Sequence, residues 1–130
     1  MNQQYGYGKT VQRGFDEAIA DVTAALQQEG FGVLSDIDVA ATLKKKIGAD
    51  MPPYRILGAC NPPLAQQAIA AAPSIGLLLP CNVVVRQDAS GAVHVEVMNT
   101  ETILQLVDKP EITALATEVR ERLDRVLAAL

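Results

Sequence analysis

The chain has 130 residues, of which 49% are hydrophobic and 20% charged, and its formal net charge is −4. This composition is typical of one globular domain covering residues 1–130, and it excludes long disordered or low-complexity segments. The negative balance also argues against a nucleic-acid partner, because surfaces that bind nucleic acid carry an excess of Lys and Arg.

The N-terminal segment and the lengths of the apolar runs predict the cellular compartment of the protein. No basic segment followed by an apolar one opens the sequence, so we expect no signal peptide. The longest apolar run, residues 75–85, is far shorter than the roughly 20 residues that span a bilayer. We therefore expect a cytoplasmic protein with no membrane partner, whose two cysteines are free thiols. A single histidine excludes a multi-histidine metal site within one chain, and we expect no cofactor.

Apolar periodicity and turn residues predict ten elements in chain order. Apolar side chains at helical spacing form one stripe on the first helix and another on the last. The predicted strands cover residues 5–11, 31–39, 54–60, 75–87 and 92–98, the fourth of them bent at Pro80. The predicted helices cover residues 15–28, 40–47, 61–72 and 101–106, and a last one runs from about Pro110 to the C-terminus.

This order of elements is compatible with two fold classes. Strands that alternate with helices are typical of a parallel α/β sheet. The strands here are half-polar, however, whereas strands covered on both faces read as continuous apolar runs. We therefore expect an α+β fold with a mostly antiparallel sheet, one face of which is covered by the first and last helices.

Two Cys-Asn motifs, Cys60-Asn61 and Cys81-Asn82, are the most informative feature of the sequence. Cys60 directly precedes Asn61, the predicted N-cap of a helix, where the positive end of the helix dipole lowers the pKa of a thiol. The intervening helix could bring Cys81 close to Cys60. Three interpretations remain open: two buried structural residues, a reactive or redox thiol, or a weak candidate pair for a soft metal such as Cu(I).

The other chemistry-bearing residues give weaker signals. Arg55, on the strand that leads to Cys60, could bind an anion or form a structural salt bridge. Asp36 and Asp38 lie two residues apart on one strand and could bind a cation, although a helix cap is the simpler role for one of them. No Ser-His-Asp set matches a catalytic motif, so the sequence leaves catalysis open and favours its absence.

Several segments resemble one known family, the domain-of-unknown-function 302 family, over essentially the whole chain. The segments are residues 54–62 (YRILGACNP), 75–83 (IGLLLPCNV), 8–11 (GKTV), 30–34 (GFGVL) and 36–38 (DID). The resemblance implies an α+β domain, similar in layout to the TATA-binding-protein-like helix-grip folds, with a curved antiparallel sheet around a long C-terminal helix. Members are bacterial or archaeal and have no established activity, so the resemblance transfers no catalytic residue.

We reach two functional hypotheses from the sequence. The first is a non-catalytic module that binds or senses an unknown small molecule and acts as a homodimer. Its candidate binding residues are Cys60, Asn61, Cys81, Asn82 and Arg55. The alternative is a thiol-based redox, sulfur-handling or Cu(I)-binding protein that uses Cys60 and Cys81.

Overall fold

A computed structural model describes residues 4–130, and the first three residues of the predicted domain lie outside this range. Five strands, five α-helices and two short 3₁₀ helices follow one another along the described chain. The strands are β1 (Gly6–Val11), β2 (Gly32–Asp38), β3 (Tyr54–Cys60), β4 (Cys81–Gln87) and β5 (Val93–Met98). The helices are α1 (Phe15–Gln28), α2 (Val39–Ile47), α3 (Pro62–Ala71), α4 (Thr100–Leu104) and α5 (Pro110–Ala128), with 3₁₀ helices at Pro73–Leu78 and Gln105–Val107.

The five strands form a single open sheet in the order β1-β5-β4-β3-β2, and every neighbouring pair is antiparallel. This arrangement confirms the predicted α+β class and rules out the parallel alternative. The half-polar character of the strands was the correct signal, because an antiparallel sheet can bury one face and leave the other exposed.

Strands β4 and β5 show how the sheet separates its two faces. Val83 and Val85 on β4, and the three valines of β5, are buried against the helices. The residues between them, which include Asn82, Arg86 and His94, lie on the opposite face. Burial of each valine contributes about 1.5–3 kcal/mol, so the period of two in the sequence fixes which face is inside.

Helices α1 and α5 cover the buried face of the sheet with the apolar stripes that their spacing predicts. The buried residues of α1 are Ala18, Val22, Ala25 and Leu26. The buried residues of α5 are Ile112, Ala116, Val119, Leu123, Val126 and Leu127. Together with the inward-facing strand residues they form the main hydrophobic core.

The short helix α2 ends at the predicted residue and begins one residue before the predicted start. The side chain of Asp38 accepts a hydrogen bond from the backbone N–H of Ala41 at 2.9 Å and so caps the helix. Gly48 ends it with a φ of 68°, a left-handed conformation that glycine adopts without strain. The three lysines 44–46 lie in the last turn, where their charge is favourable for the helix dipole.

The predicted strand over residues 75–87 is wrong in its first half. Residues Pro73–Leu78 form a 3₁₀ helix, and the strand begins only at Cys81. Pro73 starts this helix, and Ile75 packs against Ala68 and Ala72 of the same region. A short apolar run does not distinguish a strand from a helical turn, and here the contacts with α3 decide in favour of the turn.

Candidate functional site

Asn61 caps helix α3, as its position before two prolines predicts. Its side-chain Oδ1 accepts a hydrogen bond from the backbone N–H of Leu64 at 3.3 Å. The residue is only 8% exposed. Its amide nitrogen, Nδ2, has no hydrogen-bond acceptor among the residues that the structure describes. Asn61 therefore uses the oxygen of its amide for the cap, and Nδ2 keeps access to water, because no solvent-shielded side-chain N or O atom of the described residues lacks a partner.

The two cysteines lie at the same end of the neighbouring strands β3 and β4. Cys81 is the first residue of β4 and lies next to Ala59 across the strand pair. Cys60 is one residue further along β3, at its end. Both are free thiols. Cys81 is buried in the main core, whereas Cys60 is partly exposed.

Gly58 allows the chain to place Cys81 at this point. A Cβ on Gly58 would lie 2.2 Å from Oγ of Ser35 and 2.8 Å from Cγ of Pro80. The ring of Pro80 therefore packs directly on the backbone of β3, and the next residue, Cys81, starts β4 beside Ala59. A side chain at position 58 would displace Pro80 and the start of β4 from β3.

A cavity of about 400 Å³ lies beside these residues, and Cys60, Asn61 and Cys81 all contribute to its wall. We call it the Cys-Asn cavity. Its other walls come from α3, the 3₁₀ helix Pro73–Leu78, α4 and α5. This volume is within the range of pockets that hold small molecules.

The Cys-Asn cavity exists because two parts of the hydrophobic core do not merge. The main core supplies Leu64, Cys81 and Val119 to its wall. A second, smaller cluster supplies Ala68 and Ile75. Two of the four α3 residues in the wall, Ala65 and Ala68, have small side chains that leave space between the two clusters.

The electrostatic character of the cavity is that of an uncharged site. Among the residues that the structure describes, no Asp, Glu, Lys, Arg or His lies in its wall. Burial raises the pKa of the Cys81 thiol to about 11, and the neighbouring Cys60 adds a smaller effect in the same direction. Cys81 is therefore a neutral thiol at neutral pH.

Exposed apolar side chains mark the side on which the cavity opens. Leu34 is a wall residue with 72% of its surface exposed, and Ile69 on α3 is a wall residue with 48% exposed. Leu77, next to the wall residue Gly76, is 88% exposed. Exposed apolar side chains grouped around a cavity are typical of surfaces that bind apolar groups.

The structure separates the remaining two candidate residues from this cavity. Arg55 forms an ion pair with Asp36, in which Nε donates to Oδ1 at 2.8 Å and Nη2 contacts Oδ2. This hydrogen-bonded pair lowers the pKa of Asp36. Asn82 is exposed and lies on the open face of the sheet, in a depression with Tyr54 and Arg86. Three of the five candidate residues thus come together, and two do not.

Comparison with known proteins identifies the family of the chain. A family model described as "Domain of unknown function DUF302" matches residues 7–130. The chain belongs to the DUF302 family. The resemblance inferred from the sequence motifs is therefore confirmed.

The DUF302 fold also has a solved relative. The chain is similar to the crystal structure of an uncharacterized conserved DUF302 protein from Bacillus stearothermophilus, with 30% sequence identity and a TM-score of 0.89. The similarity covers 98% of each chain. No curated protein matches this chain.

A larger depression of about 800 Å³ lies between β1, α1 and α5 of this DUF302 chain. Its cationic side chains are already engaged. Arg13 pairs with Asp21 at 2.9 Å, and Arg125 pairs with Glu29 at 2.8 Å. Lys9 donates to two backbone carbonyls at the end of the chain, both at 3.2 Å. Despite its size, this depression is a weaker candidate than the Cys-Asn cavity.

The described part of this DUF302 chain has neither a metal-binding cluster of acidic, cysteine and histidine side chains nor a membrane-spanning helix. Residues 4–130 contain no group of three or more His, Cys, Asp and Glu side chains placed to hold a metal ion. Within the same residues, no helix is both long and apolar enough to cross a membrane.

Sequence reasoning missed most of the cavity wall. Ala65, Ala68 and Ile75 carry no reactive group, and nothing in their spacing separates them from ordinary core residues. It also missed the role of His94, whose ring contacts Thr10 Oγ1 at 2.9 Å and Asp88 Oδ2 at 2.7 Å. Thr10 lies opposite His94 in the antiparallel pairing of β1 with β5, and the sequence gives no signal for this pairing of distant strands.

Proposed function

We propose that this DUF302 chain is a non-catalytic module that binds or senses a small apolar molecule in the Cys-Asn cavity. The observation that supports it best is an uncharged cavity of about 400 Å³ whose wall includes Cys60, Asn61 and Cys81. Pockets for small molecules are mostly apolar and carry a few polar groups that orient the ligand. The exposed rim of Leu34 and Ile69 gives such a molecule an apolar entrance.

Binding of the uncharged fluorescent probe N-phenyl-1-naphthylamine tests this proposal. We expect saturable fluorescence enhancement with one site per chain. Ala65 lines the cavity from α3, so Ala65→Phe should fill it and weaken binding by about tenfold or more.

The same helix offers a matched control for this experiment. Ala70 is exposed and lies outside the cavity wall, so Ala70→Phe should leave probe affinity unchanged. Absence of saturable binding to the unmodified protein would contradict the proposal. Equal weakening by the two variants would also contradict it, because the probe would then bind elsewhere.

A homodimer is the second part of the proposal, and the open face of the sheet supports it. Ile37, Ile56 and Val84 lie side by side on three neighbouring strands of this face. Ile37 is exposed, and the other two are only half-buried within one chain. A row of apolar side chains on an open sheet is commonly covered by a second copy.

Light scattering at tens of micromolar protein tests the dimer. We expect the mass of two chains, and we expect Ile37→Glu to reduce it to the mass of one. Ile47→Glu is the control, because Ile47 on α2 is also an exposed isoleucine and lies outside this row of strand residues. A monomeric mass for the unmodified protein would disprove this part without affecting ligand binding.

Thiol chemistry is the second candidate function, and the shared location of the cysteines favours it. Cys60 is partly exposed in the wall of a cavity that also contains Cys81. The raised pKa of Cys81 disfavours a role as a thiolate or as a Cu(I) ligand, so this candidate depends mainly on Cys60. Copper bound stoichiometrically to anaerobically purified protein, and lost in Cys60→Ala, would support it over simple ligand binding.

A further inference from the structure

Thr10, His94 and Asp88 form a chain of hydrogen bonds at the edge of the sheet. Thr10 lies opposite His94 in the pairing of β1 with β5, and its Oγ1 is 2.9 Å from Nδ1 of the ring. The other ring nitrogen, Nε2, lies 2.7 Å from Oδ2 of Asp88. The imidazole therefore joins a hydroxyl group to a carboxylate, which is the arrangement that activates a hydroxyl nucleophile toward acyl groups.

The carboxylate of Asp88 determines which ring nitrogen carries the proton. It accepts hydrogen bonds from Ser90 and from the backbone N–H of Ala92. The hydrogen bonds from Ser90 and His94 lower the pKa of Asp88, so the group is ionised at neutral pH and can only accept. Nε2 of His94 must then donate to it, and in the neutral ring Nδ1 is the acceptor. The hydroxyl of Thr10 therefore donates to Nδ1, which is the direction in which a base withdraws its proton.

The hydroxyl of Thr10 is open to an incoming molecule, whereas the ring behind it is shielded. Thr10 is exposed, but the side chain of His94 is only 13% exposed. Thr10 borders the depression of about 800 Å³ described above and a smaller one of about 280 Å³ that extends to residues 91–93. Neither depression shares a wall residue with the Cys-Asn cavity, so this site is separate from the proposed ligand-binding site.

The backbone N–H of Thr10 points toward the free edge of the sheet. The N–H of Asn99 donates to the carbonyl of Tyr5 at 2.9 Å, in the register that continues through β1 and β5. Because hydrogen-bonded and non-hydrogen-bonded pairs alternate along an antiparallel ladder, Thr10 and His94 form a non-hydrogen-bonded pair. β1 is an edge strand, and no other strand of residues 4–130 pairs with its outer side. The N–H of Thr10 is therefore placed to donate to a carbonyl oxygen whose carbon lies next to Oγ1.

We propose that Thr10 is a covalent acylation site, at which the hydroxyl accepts an acyl group from an activated ester or thioester and His94 acts as the base. Thr10 Oγ1 bonds to the carbonyl carbon while its proton passes to Nδ1 of His94. The bond from that carbon to the leaving oxygen or sulfur breaks, and the imidazolium gives the proton to the leaving group. The products are one O-acyl threonine and one free alcohol or thiol. Asp88 is a positioning residue that keeps the ring in the required tautomer.

The small activated ester p-nitrophenyl acetate tests this proposal on the unmodified protein. Peptide mapping by mass spectrometry should locate the acetyl group on Thr10 ahead of every other threonine. Thr42 and Thr113 are internal controls, because both are exposed and donate their hydroxyl to a backbone carbonyl. In urea the preference for Thr10 should disappear, because the contact with the ring is lost. This comparison needs no variant.

Substitutions then separate the roles of the three side chains. Thr10→Ser should still be acetylated, because it supplies the same hydroxyl. His94→Gln should slow acetylation of Thr10 by about a hundredfold or more, which is the usual contribution of a general base. Asp88→Asn should also slow it, and the ring-nitrogen NMR signals of His94 should show that the proton no longer stays on Nε2. A merely structural role of Asp88 would leave this tautomer unchanged.

Three outcomes would overturn the proposal. The first is acetylation of Thr10 that is no faster than that of Thr42 in the folded protein. The second is an unchanged rate in His94→Gln, because the hydroxyl would then react without the ring. The third is acetylation confined to Cys60 or to lysines. None of these outcomes affects the binding of N-phenyl-1-naphthylamine in the Cys-Asn cavity, so the two proposals stand or fall separately.

Discussion

Cys60 and Cys81 have the same neighbour in sequence but different environments. Cys81 is 7% exposed, and burial raises its pKa to about 11. At pH 8 only about one Cys81 thiol in a thousand is then ionised. Cys60 is partly exposed at the end of β3. The two Cys-Asn motifs therefore do not imply equal reactivity of the two thiols.

Iodoacetamide labelling of single-cysteine variants measures this difference. Cys60→Ala leaves only Cys81, and we expect its labelling at pH 8 to be at least about tenfold slower than that of Cys81→Ala. The labelling rate of Cys81 should continue to rise up to about pH 11. Equal rates for the two variants would show that in solution Cys81 is not buried and its pKa is not raised. Labelling of both in urea provides the control for intrinsic reactivity.

Asp88 organises the turn between β4 and β5. Its carboxylate accepts hydrogen bonds from Ser90 and from the backbone N–H of Ala92, and it contacts the His94 ring. The hydrogen bonds from Ser90 and His94 lower the pKa of Asp88 below its ordinary value of 3.8. A carboxyl group whose pKa is lower in the folded state stabilises the protein above the unfolded pKa.

Asp88→Asn tests this pH dependence. The contribution of the carboxylate is fully present above about pH 4 and is lost as the pH falls through the lower folded-state pKa. We expect the variant to be less stable than the unmodified protein at pH 7, and the difference to shrink on acidification to pH 2. Urea unfolding at several pH values measures it. A difference that grows on acidification would contradict the assignment.

At the scale of elements, the success of sequence reasoning depended on the length of the pattern. The stripes of α1 and α5 extend over several turns, so only a helix satisfies them. The apolar run from Ile75 to Leu79 is too short to distinguish the period of a helix from that of a strand. Its conformation is set by packing with Ala68 on α3 and with Ala72 just after that helix, which the sequence does not reveal.

The junction between β3 and β4 depends on a glycine whose role is visible only in the structure. Gly58→Ala would place a methyl group 2.2 Å from Ser35 Oγ and 2.8 Å from Pro80 Cγ. We expect a loss of about 1–3 kcal/mol in the free energy of unfolding, because Pro80 and the start of β4 must move. Urea unfolding measures this loss, and near-UV spectra should report the displaced junction.

Gly32→Ala is the matched control, since Gly32 is also a strand glycine. A Cβ at this position meets no atom within 4 Å, and its backbone conformation is not left-handed. We expect a change within about 0.5 kcal/mol of zero. If the two substitutions lower the free energy of unfolding equally, the close packing of Pro80 on β3 does not occur in solution.

At the scale of the whole molecule, the chain combines two hydrophobic clusters of unequal size. The larger one joins the sheet to α1 and α5, and the smaller one holds α3, its 3₁₀ extension and α4 against α5. Leu115 on α5 packs against both. The fold class could be predicted from the strand pattern alone. The cavity could not, because it arises where α3 fails to fill the space between clusters built from distant segments.

Hydrogen exchange should reveal this division directly. Helix α3 buries only Leu64 and Ala68, whereas each of α1 and α5 buries a full stripe. The free energy that opens a segment follows its buried apolar contacts, so the amides of residues 62–78 should exchange faster than those of α1 and β4. Saturation of the Cys-Asn cavity with N-phenyl-1-naphthylamine should slow exchange in residues 62–78 and leave α1 unchanged. Uniform exchange across the chain would show one cooperative core, in which case the cavity could admit a ligand only through its open rim.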